Sequence, residues 1–221
     1  MTAEELMRMM ASDPELRVAK RQREIAWAEK GWRLDLAEQP ILRDLAAVGV
    51  RVRSVWDLLE RHDYDDAIPI LLRHLRGGYP SRVLEGMARA LGEPAARPYW
   101  DEMVRIYAEG AEWGKDLDDD LPQGNLREGM AVALMAISRK EDVSRLETLI
   151  RNREFGQSRG FFIDALLKVA KPEALCIFRD LRDDPDLGDE IRRILERAEK
   201  RRTRQRSRAL LKKSESQQRE K

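Results

Sequence analysis

Residues on which most enzymes and metal sites depend are scarce in this sequence. It has one cysteine, Cys176, and two histidines, His62 and His74. A single cysteine cannot form an internal disulfide bond, which fits the reducing cytoplasm. Most zinc sites and nucleophilic mechanisms need more cysteine and histidine residues than this. Neither a phosphate-binding glycine loop nor a Gly-x-Ser-x-Gly motif occurs. We therefore predict no enzymatic activity, no cofactor and no bound metal.

Long hydrophobic runs are also missing. The longest wholly apolar run is about Ala131–Ile137, which is far too short to span a bilayer. The first residues include Glu4 and Glu5 and lack the apolar segment of a signal peptide, so we expect no signal peptide. These features predict a cytoplasmic protein without a membrane partner.

Helix-forming residues dominate what is present. Charged residues make up 38% of the 221 residues and hydrophobic ones 42%, with few aromatics. Ala, Leu, Arg and Glu are abundant, whereas the β-branched runs typical of strands are rare. The net charge of +1 conceals an asymmetry, because Arg197–Lys221 carries +8 and Met1–Glu196 carries −7. We predict an acidic all-α body with a basic tail.

The first long helix is predicted from about Pro14 to Glu38, with Asp13 as its N-cap. A short amphipathic helix over Met1–Met10 is expected to precede it. Ile25, Ala28, Trp32 and Leu36 form one apolar stripe, so we expect this helix to pack along the following helices or to cap them. A shorter helix is predicted over Ile41–Ala47, ending at Gly49. The tryptophans predicted to pack in the core or between helices are Trp27, Trp32, Trp56 and Trp100.

The chain then repeats itself. Glu85-Gly86-Met87-Ala88-Arg89-Ala90-Leu91 recurs 43 residues later as Glu128-Gly129-Met130-Ala131-Val132-Ala133-Leu134, with six of seven residues identical. A looser copy begins at Gly160. Self-similarity at such a period is typical of stacked helical hairpins. Because glycine is unfavourable inside a helix, Gly86 and Gly129 predict places where helices approach closely.

The stretch Ala67–Leu75, followed by a turn and Arg82–Gly92, resembles HEAT repeats of the short bacterial type. Glu173–Asp186 looks like the first helix and turn of another repeat, and the resemblance covers about Pro40–Ala198. It implies a right-handed α-α superhelix, a HEAT-like solenoid, that acts as a protein-interaction scaffold or adaptor. The predicted organisation is an N-terminal helical extension over residues 1–39, a repeat array over 40–198 and a basic, partly disordered tail over 199–221. The Gly110–Gly124 loop departs from the repeat pattern.

The resemblance also implies a concave side formed by second helices, predicted at Ser81–Leu91, Leu126–Ile137, Gln157–Val169 and Leu187–Lys200. Charged residues on their solvent faces would either link neighbouring repeats or contact a protein partner. Cations in the first turn of a helix are disfavoured by the helix dipole, so we expect Arg82, Arg127 and Arg159 to pair with carboxylates. The predicted concave surface comprises Arg82, Glu85, Arg89, Arg127, Glu128, Arg159 and Lys168.

The basic tail is a second candidate surface. It has no aromatic residues for base stacking, so it would bind phosphates without reading sequence. A solvated end, contact with nucleic acid or an anionic surface, and docking on an acidic protein all remain open. We expect it to extend the last helix and to fray from Ser214. The predicted anionic-partner residues are Lys200, Arg201, Arg202, Arg204, Arg206, Arg208, Lys212 and Lys213.

Four short segments suggest possible functions, but the evidence for each is weaker. His62–Asp66 superficially resembles a metal site, but we predict a loop with Asp65 or Asp66 as the N-cap of the next helix. Asp116–Asp120 has part of a calcium-loop spacing but lacks the glycine and the distal Glu, so a solvated loop is favoured. Trp100-Asp101 and Trp113 suggest a HEAT-like DNA glycosylase as a further alternative. Cys176 is predicted to be a small buried core residue.

Overall fold

The computed structural model describes Thr2, residues 13–114 and residues 124–219, with side chains as far as Gln205. Within this part every regular element is a helix, so the all-α prediction is confirmed. None of the described helices is long and apolar enough to cross a membrane. The predicted Met1–Met10 helix and the Asp116–Asp120 cluster lie outside the described residues.

The chain forms two compact units, the first ending at Ile137 and the second beginning at Ser138. The first contains α1 (Pro14–Ala47), α2 (Ile68–His74), α3 (Ser81–Ala90), α4 (Trp100–Glu109) and α5 (Leu126–Ile137). The second contains α6 (Val143–Arg151), α7 (Gly160–Val169), α8 (Lys171–Asp180) and α9 (Gly188–Arg219). Short 3₁₀ helices cover Val55–Glu60, Asp65–Ala67, Pro94–Tyr99, Gly110–Glu112, Lys140–Asp142 and Arg153–Arg159. The predicted boundaries at 39/40 and 198/199 both fall inside continuous helices, α1 and α9.

Helix α1 begins as predicted but is longer than predicted. The Asp13 carboxylate accepts hydrogen bonds from the backbone N–H groups of Glu15 and Leu16, at 2.9 and 3.3 Å. The helix continues through Pro40 to Ala47 instead of ending near Glu38. Since the buried residues of α1 lie at its C-terminal end, tertiary packing holds the helix together past the proline.

The end of α1 is a glycine-dependent turn. Gly49 has φ of 88°, a conformation that other residues rarely adopt. Its N–H donates to the Ala46 carbonyl at 3.1 Å, and the Val50 N–H donates to the Leu45 carbonyl at 3.0 Å. This is the Schellman arrangement, so the helix end predicted at Gly49 is confirmed.

A buried carboxylate ties α1 to the segment that follows it. Glu38 accepts the Val55 N–H at 2.9 Å and the Ser54 hydroxyl at 3.1 Å. Burial raises the pKa of Glu38, against the effect of these two hydrogen bonds. The sequence Ser54-Val55-Trp56-Asp57 has the spacing of a capping box, and Ser54 and Asp57 form one at the start of a 3₁₀ helix over Val55–Glu60.

Three elements of the first unit stack in succession: the Val55–Glu60 helix, α3 and α5. A Cβ atom on Gly86 would lie 2.8 Å from Val55 Cγ2, and one on Gly129 would lie 2.9 Å from the Glu85 carbonyl oxygen. The repeated glycines therefore occupy the same place in successive layers, which confirms the predicted close approach. Gly160 differs, since the nearest atom to its Cβ would be Leu187 Cδ2 at 3.9 Å.

The second unit is a chain of neighbouring helices, with α6 against α7, α7 against α8 and α8 against α9. The helices bury their apolar faces together; the fully buried side chains include Leu146, Ile150, Phe162, Ile163, Leu166 and Phe178. Ile191 is the last buried apolar residue before α9 becomes exposed. The far part of α9 therefore continues without support from this core.

Two glycine-to-alanine substitutions should have opposite effects on the stability of the first unit. Gly129→Ala should destabilise it by about 1–3 kcal/mol, because the new methyl group would clash with the Glu85 carbonyl oxygen, a backbone atom that cannot move by a change of rotamer. Gly31→Ala should be neutral or stabilising by up to about 1 kcal/mol, since no atom outside its own helix lies within 4 Å. Urea unfolding followed by tryptophan fluorescence measures both, because all five tryptophans precede Ser138. Equal stabilities of the two variants would contradict the close approach.

Candidate interaction surfaces

Glu85 on α3 is buried, with only 7% of its surface exposed. Its carboxylate accepts from Arg89 Nε at 2.8 Å, from Arg82 Nη1 at 3.4 Å and from the Asn125 N–H at 3.2 Å. The expectation that Glu85 faces solvent is therefore wrong. The carboxylate links α3 to the residue that precedes α5, and its two arginine partners supply the compensating charge that burial demands.

The neighbouring arginines also make contacts within the first unit. The Arg82 guanidinium lies 3.8 Å from the centroid of the Trp56 ring, which connects α3 to the Val55–Glu60 helix. Arg127 donates to the carbonyls of Tyr107 and Ala108 at 3.1 and 2.9 Å, at the C-terminal end of α4. Glu128 and Asn125 exchange hydrogen bonds at the start of α5. The Arg82 and Glu85 contacts connect stacked layers and so favour the prediction of links between repeats, whereas Arg127 joins α4 to α5 and the Glu128 contact is local.

Arg159 was expected on a solvent face, but its side chain is completely buried in the second unit. Its guanidinium binds Asp184 through two hydrogen bonds of 3.0 and 2.9 Å and Asp186 through one of 2.7 Å. The carbonyls of Gly156 and Ile150 accept its remaining contacts at 2.9 and 3.0 Å. The expectation was wrong because partners distant in sequence satisfy the whole guanidinium. The expectation that Arg159 pairs with carboxylates is correct.

The Asp184 carboxylate is stabilised in its charged form. Burial raises its pKa, but the hydrogen bonds from Arg159 and from the N–H groups of Leu187 and Asp186 outweigh burial and leave the pKa below its usual value. Lys168, the other predicted residue of the second unit, is exposed on α7. The seven predicted concave residues thus divide between the units, five in the first and two in the second.

The first unit also contains a hydrogen-bonded Asp–His–Tyr cluster that was not predicted from the sequence. His74 Nε2 lies 2.9 Å from Asp44 Oδ2, and His74 Nδ1 lies 2.7 Å from the Tyr79 hydroxyl. The His74 hydrogen bond holds the pKa of Asp44 below its usual value, whereas burial raises the pKa of Tyr79. A tyrosine whose pKa is raised is not an activated nucleophile, so the cluster fits a structural link between α1, α2 and the turn before α3.

The segment that resembles a metal site is occupied by ion pairs. Arg61 binds Asp63 through two contacts of 2.7 Å, and His62 Nδ1 lies 2.8 Å from Glu93 Oε1. The described residues contain no group of three metal-binding side chains. The predicted cap at Asp65 or Asp66 is wrong, because both lie inside the Asp65–Ala67 3₁₀ helix.

Cys176 is exposed, which corrects the prediction of a buried core residue. Helix α8 buries Ala174, Ile177 and Phe178, so Cys176 falls on its outer face. Trp100 is buried whereas Asp101 is exposed, and Trp113 is partly exposed. The aromatic and the carboxylate therefore do not share the open face that glycosylase chemistry would need.

The most exposed apolar surface lies on α1, where packing was expected. Six of the eight large hydrophobic side chains exposed in the described residues lie between Leu16 and Leu36: Leu16, Val18, Ile25, Trp27, Trp32 and Leu36. Trp27 and Trp32 are 65% and 64% exposed. The prediction that these two tryptophans pack in the core or between helices is therefore wrong. Apolar residues occur on more than one face of this charged helix, whereas a helix that packs along one face needs only one apolar stripe. This pattern is the feature of the sequence that could have predicted exposed apolar side chains on α1.

The basic tail forms part of α9. Lys200, Arg201, Arg202 and Arg204 are exposed, and the helix continues to Arg219 instead of fraying from Ser214. Arg206, Arg208, Lys212 and Lys213 belong to the same helix, and their side chains lie outside the described ones. Arg197, Arg201 and Arg204 follow each other at spacings of four and three, which is one helical face.

Comparison of the chain with protein-family models, with curated proteins and with solved structures finds no match. The resemblance to HEAT repeats therefore stays a prediction. Its support comes from the repeated glycines and the stacked helices of the first unit.

Arg159→Met should destabilise the second unit by about 3–5 kcal/mol at neutral pH, because it leaves Asp184 charged and buried. The matched variant Arg193→Met, at an exposed position on α9, should change stability by less than about 0.5 kcal/mol. Far-UV circular dichroism during urea unfolding measures both, and tryptophan fluorescence serves as a reference for the first unit.

The effect should also depend on pH. Because folding lowers the pKa of Asp184, its pairing stabilises the wild type above the unfolded pKa of about 3.9 and is lost as pH falls through the folded value. The difference between wild type and Arg159→Met should therefore shrink in acid. A small difference that does not vary with pH would show that the Arg159 cluster does not hold the unit together.

Proposed function

We propose that this protein is a non-enzymatic interaction module of HEAT type, an adaptor or scaffold that holds another protein in the cytoplasm. The observation that carries the proposal is the exposed apolar surface on α1, from Leu16 to Leu36. A right-handed superhelix built from the stacked helices is part of the same proposal, supported by the equal placement of Gly86 and Gly129.

Exposed tryptophans on a charged helix favour binding over mere solvation. Soluble monomers rarely expose large apolar patches, and tryptophan is enriched among residues that dominate binding energy. Val18, Ile25 and Trp32 are spaced by seven residues and Leu36 follows four later, so they lie along one face of α1. A helix with such a face fits a hydrophobic groove on a partner.

The basic helix α9 supports a second candidate function, nucleic-acid binding. The exposed Lys200, Arg201, Arg202 and Arg204 would contact phosphates without reading bases. This candidate differs from the first in one measurable respect, because it requires an affinity for duplex DNA that falls steeply as salt is raised.

Site-specific photocrosslinking in the native host tests the first proposal. A photoreactive phenylalanine analogue at Ile25 or at Trp32, which share the apolar face of α1, should give the same discrete protein adduct. The same analogue at Leu59 should give none, because Leu59 is an exposed large hydrophobic residue outside α1. Mass spectrometry identifies the adduct.

Purified components then quantify the contact. Ile25→Ser/Trp32→Ser should weaken binding of the identified partner about 10- to 100-fold, because both side chains lie on the apolar face of α1, while Leu59→Ser leaves the affinity unchanged. An adduct yield at Ile25 and Trp32 no higher than at Leu59 would contradict the proposal. So would an adduct that consists only of a second copy of this chain.

A further inference from the structure

A groove in the second unit combines an apolar floor with a cationic rim. It has a volume of about 360 Å³ and lies where α9 leaves the core, bounded by residues of α7, α8 and α9. The apolar floor is formed by the partly buried side chains of Leu167, Leu175, Ile194 and Ala198. The rim carries the exposed side chains of Lys171, Arg197, Arg201 and Arg202.

The rim cations are available for an external partner. In the described part of the chain, none of these four side chains forms an ion pair. Two arginines of the adjoining depression do have carboxylate partners: Arg192 pairs with Asp183 and Asp189, and Arg182 lies 3.8 Å from Asp183. Within the described residues, Arg182 and Arg192 are thus neutralised, whereas the four cations of the rim have no carboxylate partner.

We propose that this groove binds an acidic amphipathic helix of a partner protein, with apolar side chains on the floor and carboxylates against the rim. The inference goes beyond the proposed function because it assigns a partner chemistry to a second surface. A volume near the lower end of the usual ~300–1,000 Å³ for pockets suits a few side chains. The apolar floor favours such a helix over nucleic acid, whose backbone offers charge without an apolar face. The cations supply the charge complementarity.

A designed peptide tests the inference on the full-length protein. The probe is a fluorescein-labelled 16-residue helix of Leu, Glu and Ala, with Leu spaced by three and four residues and Glu flanking that stripe. It should bind saturably in fluorescence anisotropy. A peptide of the same composition with Leu scattered around the helix should bind at least about tenfold more weakly. Methyl NMR signals of Leu175 and Ile194 should shift on titration.

Two charge-reversed pairs locate the contact. Arg197→Glu/Arg201→Glu should weaken binding about tenfold or more, because two attractive charges become repulsive. Arg193→Glu/Lys200→Glu changes the net charge equally on the same helix but outside the groove, and should change affinity by less than about threefold. Ala198→Trp, which fills the floor without changing charge, should also abolish binding. Circular dichroism confirms that each variant is folded.

Several outcomes would overturn the inference: no saturable binding up to about 1 mM peptide, equal binding of the scattered peptide, or equal losses from the two charge-reversed pairs. A second result would show that α9 binds nucleic acid instead. The protein would bind a 20-base-pair duplex, both charge-reversed variants would weaken that binding equally, and the preference for the amphipathic peptide would be lost. Self-association that Arg197→Glu/Arg201→Glu removes would make the occupant a second copy. Because the groove variants lie in the second unit, their failure leaves the α1 photocrosslinking result intact, and the converse also holds.

Discussion

The close approach of helices at Gly86 and Gly129 is the constraint on which the first unit depends. Each glycine lets one layer rest against the backbone or a branched side chain of the layer before it. Leu84, Met87 and Leu134 on the same helices are fully buried. A hairpin of this kind cannot cover its own apolar face, so the stack provides the core that a single pair would lack.

The charged groups nearest the core hold the helices in place. Glu38 ties α1 to the Val55–Glu60 helix, Glu85 ties α3 to the start of α5, and Arg159 joins Asp184 in the second unit. Each buried charge or carboxylate has several hydrogen-bond partners, which offsets the cost of removing it from water. The two surfaces that we propose for partners lie elsewhere, on the apolar part of α1 and in the groove beside α9.

The local signals in the sequence were reliable where the decisive contacts are local. The Asp13 cap, the end of α1 at Gly49 and the Ser54 capping box depend on neighbouring residues. Arg159 was placed wrongly because its main partner, Asp184, is 25 residues away. Trp27 and Trp32 were assigned to packing because periodicity shows which residues share a helical face and says nothing of whether that face meets a neighbour. Cys176 was misplaced because an apolar stretch does not show which side of α8 faces the core.

The central claim is that the first unit has a stacked core and that residues 16–36 of α1 extend from it with their apolar side chains exposed. Amide hydrogen exchange of the purified free protein tests this claim. The account predicts that the interiors of α3 and α5 exchange slowest and together, with the free energy of unfolding of the first unit. It predicts much faster exchange for residues 16–36 of α1, whose side chains have little support. Strong protection of residues 16–36 in the free monomer, or separate and rapid exchange of α3 and α5, would contradict it.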